Sequence, residues 1–574
     1  MRILLLLHSF NSLSQRLYVE LQQDGHELSV ELDIHEYVTR QAVDLFRPDL
    51  ILAPFLKRAI PPSIWQRCPC LIVHPGPPGD RGPAALDWAI LRGVGEWGVT
   101  VLQATSELDA GPVWAHASFS MRAARKSSLY RNEVTEAAVF AVRAALERVT
   151  DGSGPLFGTQ DEPKGNWQPP LRQAQRAIDW SRDDTATVLR KIRCSDGFPG
   201  VEDLLFDRSF RLFDAHPATG MSGRPGMLIA RRHEAICRAT RDGAVWIGQL
   251  QPANAGQRGF KRPALLALGA LADALPRSDV EFGEAGDVPR EGEIQYEERG
   301  AAGFLHFNFY NGALSAAQCE RLRAAYAYAR ARPTRVIVLM GGSDFWCNGM
   351  HLHCIEAADS PADASWDNIN RIDDLVQDIL STDTHRTIAA LRGNAAAGGV
   401  FLALAADRVL ARSGIVLNPH YRNMGNLYGS EYWTYTLPRR VGTERAQTIA
   451  TARLPLGTAE ALALGLIDGH AGPDATRFQA LVDSQAAELA SSDQFMPALG
   501  EKRARRARDE AQRPLAQYRR DELARMRMNF YGFDPSYHIA RHRFVHRTPH
   551  AWTPLHLARH RRAGIPTKLE SVSA

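Results

Sequence analysis

Two hydrophobic periods alternate through the first ~120 residues. RILLLL near the start is an unbroken apolar run of strand length, and SQRLYVELQQDG after it spaces its apolar residues as a helix that stops at Gly25. HELSVEL, PDLILAPF, CPCLIVHP and WGVTVLQAT read as further short strands, with helical segments such as AALDWAILRG between them. Strand–helix alternation predicts a parallel, doubly wound sheet, and such sheets place ligands beyond the carboxyl ends of their strands. Polar residues that follow strands are therefore the first candidates for chemistry.

The pattern breaks at residues 151–166 into a Gly- and Pro-containing polar stretch that reads as a linker. In RAIDWSRDDTATVLRKIRCSDGFPG, Asp183 or Asp184 is placed to cap a helix running through Ile192. SFRLFDAH, GMLIARR, EAICRAT and AVWIGQL then predict a small antiparallel β domain. After Gly300 the alternation restarts: HFNFYNGALS, an Ala-rich helix, the strand RVIVLMGG, a helix near Asp367–Ser381, the strand TIAALRG, and a helix and strand in AAAGGVFLALAADRVLA. The last stretch is helical, basic and rich in His. The expected organisation is α/β and multidomain, with domains at 1–150 and 151–270, a linker at 271–300, a domain at 301–490 and a helical extension at 491–574.

Composition narrows the function classes. The 574 residues are 45% hydrophobic and 23% charged, which suits several globular domains and excludes a disordered or fibrous chain. Sixty-eight basic against 64 acidic residues leave +4, too little to imply a nucleic-acid or membrane partner. The opening apolar run is cut short at His8-Ser9, and no stretch approaches the ~20 apolar residues that span a bilayer. Seven scattered cysteines argue against a disulfide framework. The expectation is a cytoplasmic protein that acts on small molecules.

HPGPPGDRGPAALDWAI begins at His74, directly after the strand CLIV, and LDAGPV follows about 35 residues later. These segments resemble the folate-dependent formyltransferases, which share a His-Pro loop, an Arg-Gly step (here Arg81-Gly82), a helix with a Trp (Trp88) and an Asp-x-Gly-Pro loop. The resemblance spans roughly residues 1–265, places Asp109 as the catalytic carboxylate and implies formyl-tetrahydrofolate as co-substrate. It also implies a doubly wound domain followed by an OB-like β domain. The residues agree with it, because moving a formyl group requires proton transfers that a His held by a carboxylate performs near neutral pH. One position departs: the family has an Asn two residues before the His, an oxyanion donor, and here Ile72 stands there. Losing such a donor costs about 10²–10³ in rate, so either a backbone group substitutes or the acceptor is better than an amine, as a thiol would be.

FNFYNGALS, LMGGSDFWCNGMHL, LRGNAAAGGVFLALAADRVLA, YTLPRRVG and AEALALGLID resemble, in order, the signatures of the enoyl-CoA hydratase/isomerase (crotonase) family. That likeness puts Met350 and Gly398 at the two backbone N–H donors to a thioester oxygen. Both hydratase glutamates are missing: Phe401 occupies the place of the first, and LNPHYRNMGNLYGSEYWTY replaces the segment of the second. Within it His420, Tyr421, Tyr428 and Glu431 offer acid–base groups, and Tyr421 with Glu431, the segment's only carboxylate, is the preferred pair. The spacing of Cys347, His351, His353 and Cys354 fits no standard zinc pattern. His538, His542 and His546 share a helix face that reads as a solvated basic surface, and no metal is assigned.

A formyltransferase half, a crotonase half and the tail NFYGFDPSYHIARHRFVHR together resemble the HypX (HoxX) family of nickel–iron hydrogenase maturation proteins. The resemblance implies synthesis of the carbon monoxide ligand of the hydrogenase iron from formyl-tetrahydrofolate; the chemistry of the two halves adds the expectation that coenzyme A carries the formyl group, and hydrogenase maturation proteins are the expected partners. Gln15, Arg131, Ser195, Asn308 and Arg541 are the candidate coenzyme A contacts, as polar groups flanking both sites or in the tail. Two alternatives stay open: formyl transfer to an amine beside a separate acyl-CoA activity, and a non-catalytic carrier or scaffold.

Overall fold

The computed structural model describes residues 1–157, 166–253, 259–278 and 292–562. It divides into two units, the first comprising Met1–Gly259, Ala267–Pro276 and Pro549–Ala574, the second Phe260–Leu266 and Arg277–Thr548. Among the described residues no helix is long and apolar enough to cross a membrane. None of the seven cysteines is in a disulfide.

In the first unit Arg2–Leu7 is buried from Ile3 onward and lies inside a six-stranded sheet, flanked by the parallel strands Glu27–Leu32 and Leu50–Phe55. Cys70–His74 continues the parallel set, as the alternation predicts. Glu96–Gln103 departs from the expected all-parallel sheet, pairing antiparallel with both Cys70–His74 and Val113–Ser120. The helix between Cys70–His74 and Glu96–Gln103, Ala85–Arg92, has the length of a crossover but the chain re-enters the sheet reversed. Apolar periodicity carries no direction, so sequence could not distinguish the two cases. The predicted cap at Asp184 is present, its Oδ1 accepting from the Thr187 N–H at 2.8 Å at the start of Thr185–Cys194. Five strands then pair antiparallel in the order Leu228–Arg232, Ala235–Ala239, Ala244–Pro252, Arg208–Pro217, Val201–Leu205.

The second unit is built on a six-stranded sheet in the order Ile294–Arg299, Ala302–Phe307, Val336–Leu339, Arg386–Leu391, Arg408–Arg412, Gly469–Ala471, parallel except for the opening hairpin. A smaller sheet of Phe345–Cys347, Asn394–Ala396, Val416–Asn418 and Leu456–Gly457 carries the Gly-rich turns. Residues 158–165 and 279–291, within the two expected linkers, lie outside the described residues. The second linker expectation is corrected at its end, because IQYEER forms the strand Ile294–Arg299, its alternate residues Ile294 and Tyr296 buried.

The tail is helical over Phe495–Gln512, Leu515–Tyr531 and Ser536–Val545. It then becomes irregular and lies along the edge strand Glu27–Leu32 of the first unit, where the Val30 N–H donates to Leu557 O (3.1 Å) and the Leu32 N–H to Thr553 Oγ1 (2.9 Å). Glu31, wholly buried there, would have its pKa raised by burial, but hydrogen bonds from His560, Thr553 and Arg561 bring it below the usual carboxylate value. An edge strand left bare is a template for unwanted pairing, and this segment covers it.

Candidate active sites

His74 ends its strand at the sheet's carboxyl edge with its imidazole almost fully buried. Its Nε2 makes a 3.0 Å hydrogen bond with Asp80 Oδ2, and its Nδ1 lies 3.7 Å from Asp109 Oδ2. One imidazole is thus set between two carboxylates. The loop that returns Asp80 onto His74 requires glycine at position 76, since a Cβ there would fall 2.5 Å from Asp80 Oδ2 and 2.6 Å from His74 Nε2. Thr100 Oγ1 anchors the same loop by donating to Gly76 O at 2.8 Å, and Trp97 Nε1 donates to Pro75 O at 2.9 Å.

Arg81-Gly82 joins the two loops. The Arg81 guanidinium donates to Leu108 O and Glu107 Oε1, while the Gly82 N–H donates to Asp109 Oδ2 at 3.1 Å. Asp109 itself has φ +54°, a left-handed conformation that Asp tolerates better than most residues. Ile72 is two residues before His74 on the same strand and therefore on the same face. Asp80 was not singled out from sequence, although it stands inside the His-Pro motif, two residues before Gly82.

In the second unit Gly349–Met350 pairs with Ala313–Leu314, and Gly398 opens the helix Gly398–Leu404. As a first helical residue, Gly398 has an N–H with no intrahelical acceptor. The residue before it, Ala397, is held at φ +49°, ψ −129°, a strained conformation for a side chain with a Cβ. A Cβ on Gly349 would lie 3.3 Å from the Gly398 nitrogen, so the two expected donor turns are in contact.

Tyr421 and Glu431, the preferred acid–base pair, are together and buried. The Tyr421 hydroxyl lies 2.5 Å from Glu431 Oε2 and 3.0 Å from Ser430 O. Phe401, in the place of a hydratase glutamate, stacks on the Tyr421 ring at 5.2 Å and 18°. Burial and the nearby Asp373 push Glu431 up to about 8, while bonds from Tyr421 and the Ser430 N–H oppose the rise. Burial, reinforced by the Glu431 charge, pushes Tyr421 well above the ordinary phenol value.

Two residues that sequence reasoning missed hold this pair. Asp373, on the helix Pro361–Leu380, accepts from the Glu431 N–H (2.8 Å) and Ser430 Oγ (2.7 Å). Glu522, on Leu515–Tyr531, accepts from the N–H groups of Tyr432 (2.9 Å) and Thr434 (2.8 Å). Glu431 and Tyr432 have φ +61° and +58°, and these bonds fix that left-handed step. Burial first, and then neighbouring charge, raises Glu522 to about 8; burial raises Asp373 to about 6. Each acid sits on the apolar face of its helix, and a charged residue on a core stripe was the signal available in sequence.

Of the other candidates, His420 is buried and Tyr428 packs on Trp433 at 5.5 Å. Gln15 Nε2 donates to Phe10 O at 3.0 Å, and Arg131 ends the helix Lys126–Arg131. Ser195 is fully buried, with its hydroxyl turned onto Lys191 O and Ile192 O of its own helix. Asn308 is exposed. Arg541 is buried, its Nε on Glu356 Oε2 at 2.8 Å and its guanidinium over the Tyr537 ring. The three tail histidines do not act as one face: His538 is held by Phe530 O and Arg541, while His542 and His546 meet Glu356.

Comparison with known proteins gives matches over most of the chain. Family models described as Formyl transferase, Formyl transferase C-terminal domain, and Enoyl-CoA hydratase/isomerase match residues 28–146, 170–257 and 307–529. A methionyl-tRNA formyltransferase of Citrifermentans bemidjiense is 27% identical over 207 residues, 36% of this chain and 64% of its own. The crystal structure of HypX from Aquifex aeolicus in complex with tetrahydrofolic acid is 48% identical and superposes with a TM-score of 0.95, covering 98% of this chain and 99% of that one. The hydrogenase maturation factor HoxX of Bradyrhizobium diazoefficiens is 55% identical over 562 residues, 98% of this chain and 97% of its own. A formyltransferase-like half and a crotonase-like half, joined in one chain, thus place this protein in the HoxX (HypX) family of hydrogenase maturation factors.

Proposed function

We propose that the chain makes the carbon monoxide ligand of the nickel–iron hydrogenase active site, moving the formyl group of formyl-tetrahydrofolate to coenzyme A and then decarbonylating formyl-CoA. The observation that carries this reading is the buried Tyr421–Glu431 pair beside Gly398, a base presented to a backbone donor where ordinary hydratase acids are gone. Support for folate comes from the tetrahydrofolic acid complex of the Aquifex relative.

In the first step the thiol sulfur bonds to the formyl carbon while His74 takes the thiol proton. Collapse of the tetrahedral intermediate breaks the carbon–nitrogen bond, and the same proton passes from His74 to the leaving folate nitrogen. Asp80 and Asp109 stabilise the imidazolium in between. Ile72 offers no donor to the oxyanion, which suits a thiol acceptor better than an amine.

Formyl-CoA has no α-carbon, so enolate chemistry is impossible; its one carbon-bound hydrogen is on the carbonyl carbon. Glu431 removes it as a proton, with Tyr421 donating to the carboxylate's other oxygen. The carbon–hydrogen electron pair stays on carbon as carbon monoxide forms, and the carbon–sulfur pair leaves with sulfur. Returning the proton from Glu431 to the thiolate closes the cycle, while the Met350 and Gly398 N–H groups hold the oxygen in place. Gln15, Arg131, Ser195, Asn308 and Arg541 remain the proposed coenzyme A contacts. The setting is the cytoplasm, with hydrogenase maturation proteins as recipients.

The deciding experiment mixes the protein with formyl-tetrahydrofolate, with and without coenzyme A, in the presence of reduced haemoglobin. A haem–carbonyl spectrum that tracks folate consumption and requires coenzyme A is the expected result. Consumption without the spectrum means plain formyl transfer, and no consumption means a carrier.

A further inference from the structure

We infer that His542, His546 and Glu356 form a binding site for a divalent transition-metal ion of the zinc class. His542 and His546 are one turn apart on the helix Ser536–Val545 and its C-cap, with ring centroids 4.1 Å apart. Glu356, the last residue of the helix Leu352–Glu356, turns one oxygen to both: Oε1 is 2.7 Å from His542 Nδ1 and 3.3 Å from His546 Nε2. One ligand atom from each residue lies within 4.8 Å of the others. A tetrahedral ion with bonds of about 2.0–2.1 Å would bring such atoms to about 3.4 Å, within reach of a small side-chain rotation.

The rest of the cluster is arranged as a metal's surroundings are. Glu356 has a second oxygen, Oε2, held by the buried Arg541 at 2.8 Å, which orients the carboxylate and leaves Oε1 directed at the imidazoles. Outer partners of this sort fix ligand geometry in metal sites. Phe260 packs edge-on against the His546 ring at 5.1 Å and restrains it. His542 is 58% exposed, so ions and water enter from that side and water completes the coordination. Two imidazoles at i and i+4 with a carboxylate select zinc, cobalt or nickel over magnesium or calcium.

The consequence lies in where Glu356 sits. Its helix begins two residues after Met350, so an ion here ties the tail helix to the segment that carries one of the two proposed donors. A metal clip at this point would order Met350 without touching substrate.

The test uses the full chain, stripped of metal and without an affinity tag. Titration with Co²⁺ should give visible ligand-field bands saturating at one ion per chain, and Zn²⁺ should displace it and raise the thermal midpoint. His542→Ala, at an exposed position that the fold tolerates, should weaken binding at least about tenfold and remove the thermal shift. His216→Ala, half exposed in the other unit, should bind as the parent does. Absence of bands in the parent, or undiminished binding by His542→Ala, would overturn the assignment.

Discussion

The Glu431 carboxylate rests on the α-carbon of Gly398 so closely that a methyl group there would fall 2.0 Å from Oε1. Gly398 is therefore glycine for the sake of its neighbour. Gly398→Ala must displace either Glu431 or the turn itself, at a stability cost of about 1–3 kcal/mol. A misplacement of about 1 Å costs about 10²-fold in rate. In the proposed scheme carbon monoxide release from supplied formyl-CoA should fall by that order, while folate consumption, assigned there to the other half, should stay near the parent value. Equal release by the variant would separate Glu431 from the chemistry.

If Glu431 is the base of the proposed release step, its ionisation sets a pH requirement on that step. Its pKa is raised to about 8, so below that pH the base is mostly protonated. The release rate at saturating formyl-CoA should rise about tenfold per pH unit up to about 8 and level off above it. A rate already flat across neutral pH would assign the base elsewhere.

Stability should move the opposite way. Unfolded, these acids titrate at 3.8 for Asp373 and 4.5 for Glu431 and Glu522; folded, they keep their protons to about 6, 8 and 8. Between those values the folded chain binds more protons than the unfolded chain. Stability is thus greatest below about pH 4 as far as these groups contribute, and is lost as pH rises to about 8, at up to about 1.4 kcal/mol per pH unit for each proton. Glu522→Gln mimics the protonated acid and removes one of these titrations. Urea unfolding at about pH 5 and about pH 9 should show the variant gaining on the parent at the higher pH.

In the proposed scheme His74, in the first unit, separates the two activities. His74→Ala should abolish folate consumption yet release carbon monoxide from supplied formyl-CoA. Asp80→Asn exchanges the 3.0 Å acceptor of His74 for an amide that can present the wrong group to the ring. Formyl transfer should drop by about 10²–10⁴, with a larger loss than from Asp109→Asn, whose carboxylate stands 3.7 Å away. Folate consumption under single-turnover conditions measures both.

What sequence made legible follows contiguity. His74 with Arg81-Gly82, and Met350 with Gly349, each fall within one short stretch of chain, so each motif reads as a unit. Glu431 was reachable as its segment's single carboxylate. Asp373 and Glu522 were not, because they come from other helices, 58 residues from Glu431 and 90 from Tyr432 along the chain, and read as ordinary charges in helical runs. Asp373 lies four residues after Ile369 and three before Val376, both fully buried, and that placement on an apolar stripe was the missed sign. The reversed strand Glu96–Gln103 and the return of residues 549–562 to Glu27–Leu32 depend on pairing, which periodicity does not encode.

The Tyr421–Glu431 pair admits a test that distinguishes its two members. Glu431→Gln removes the base and keeps the shape, so carbon monoxide release should disappear while folate is still consumed. Tyr421→Phe leaves the carboxylate but takes away its 2.5 Å donor. That hydrogen bond opposes the rise of Glu431, so without it the carboxyl group should titrate higher. The Phe variant should keep some activity, with the rising limb of its pH–rate profile moved to higher pH. The double variant should match Glu431→Gln, since a donor that tunes a base adds nothing once the base is gone. Loss of folate consumption in either single variant would contradict the division of labour between the halves. A Tyr421→Phe profile with an unmoved midpoint would show that Tyr421 acts on substrate directly and not through Glu431.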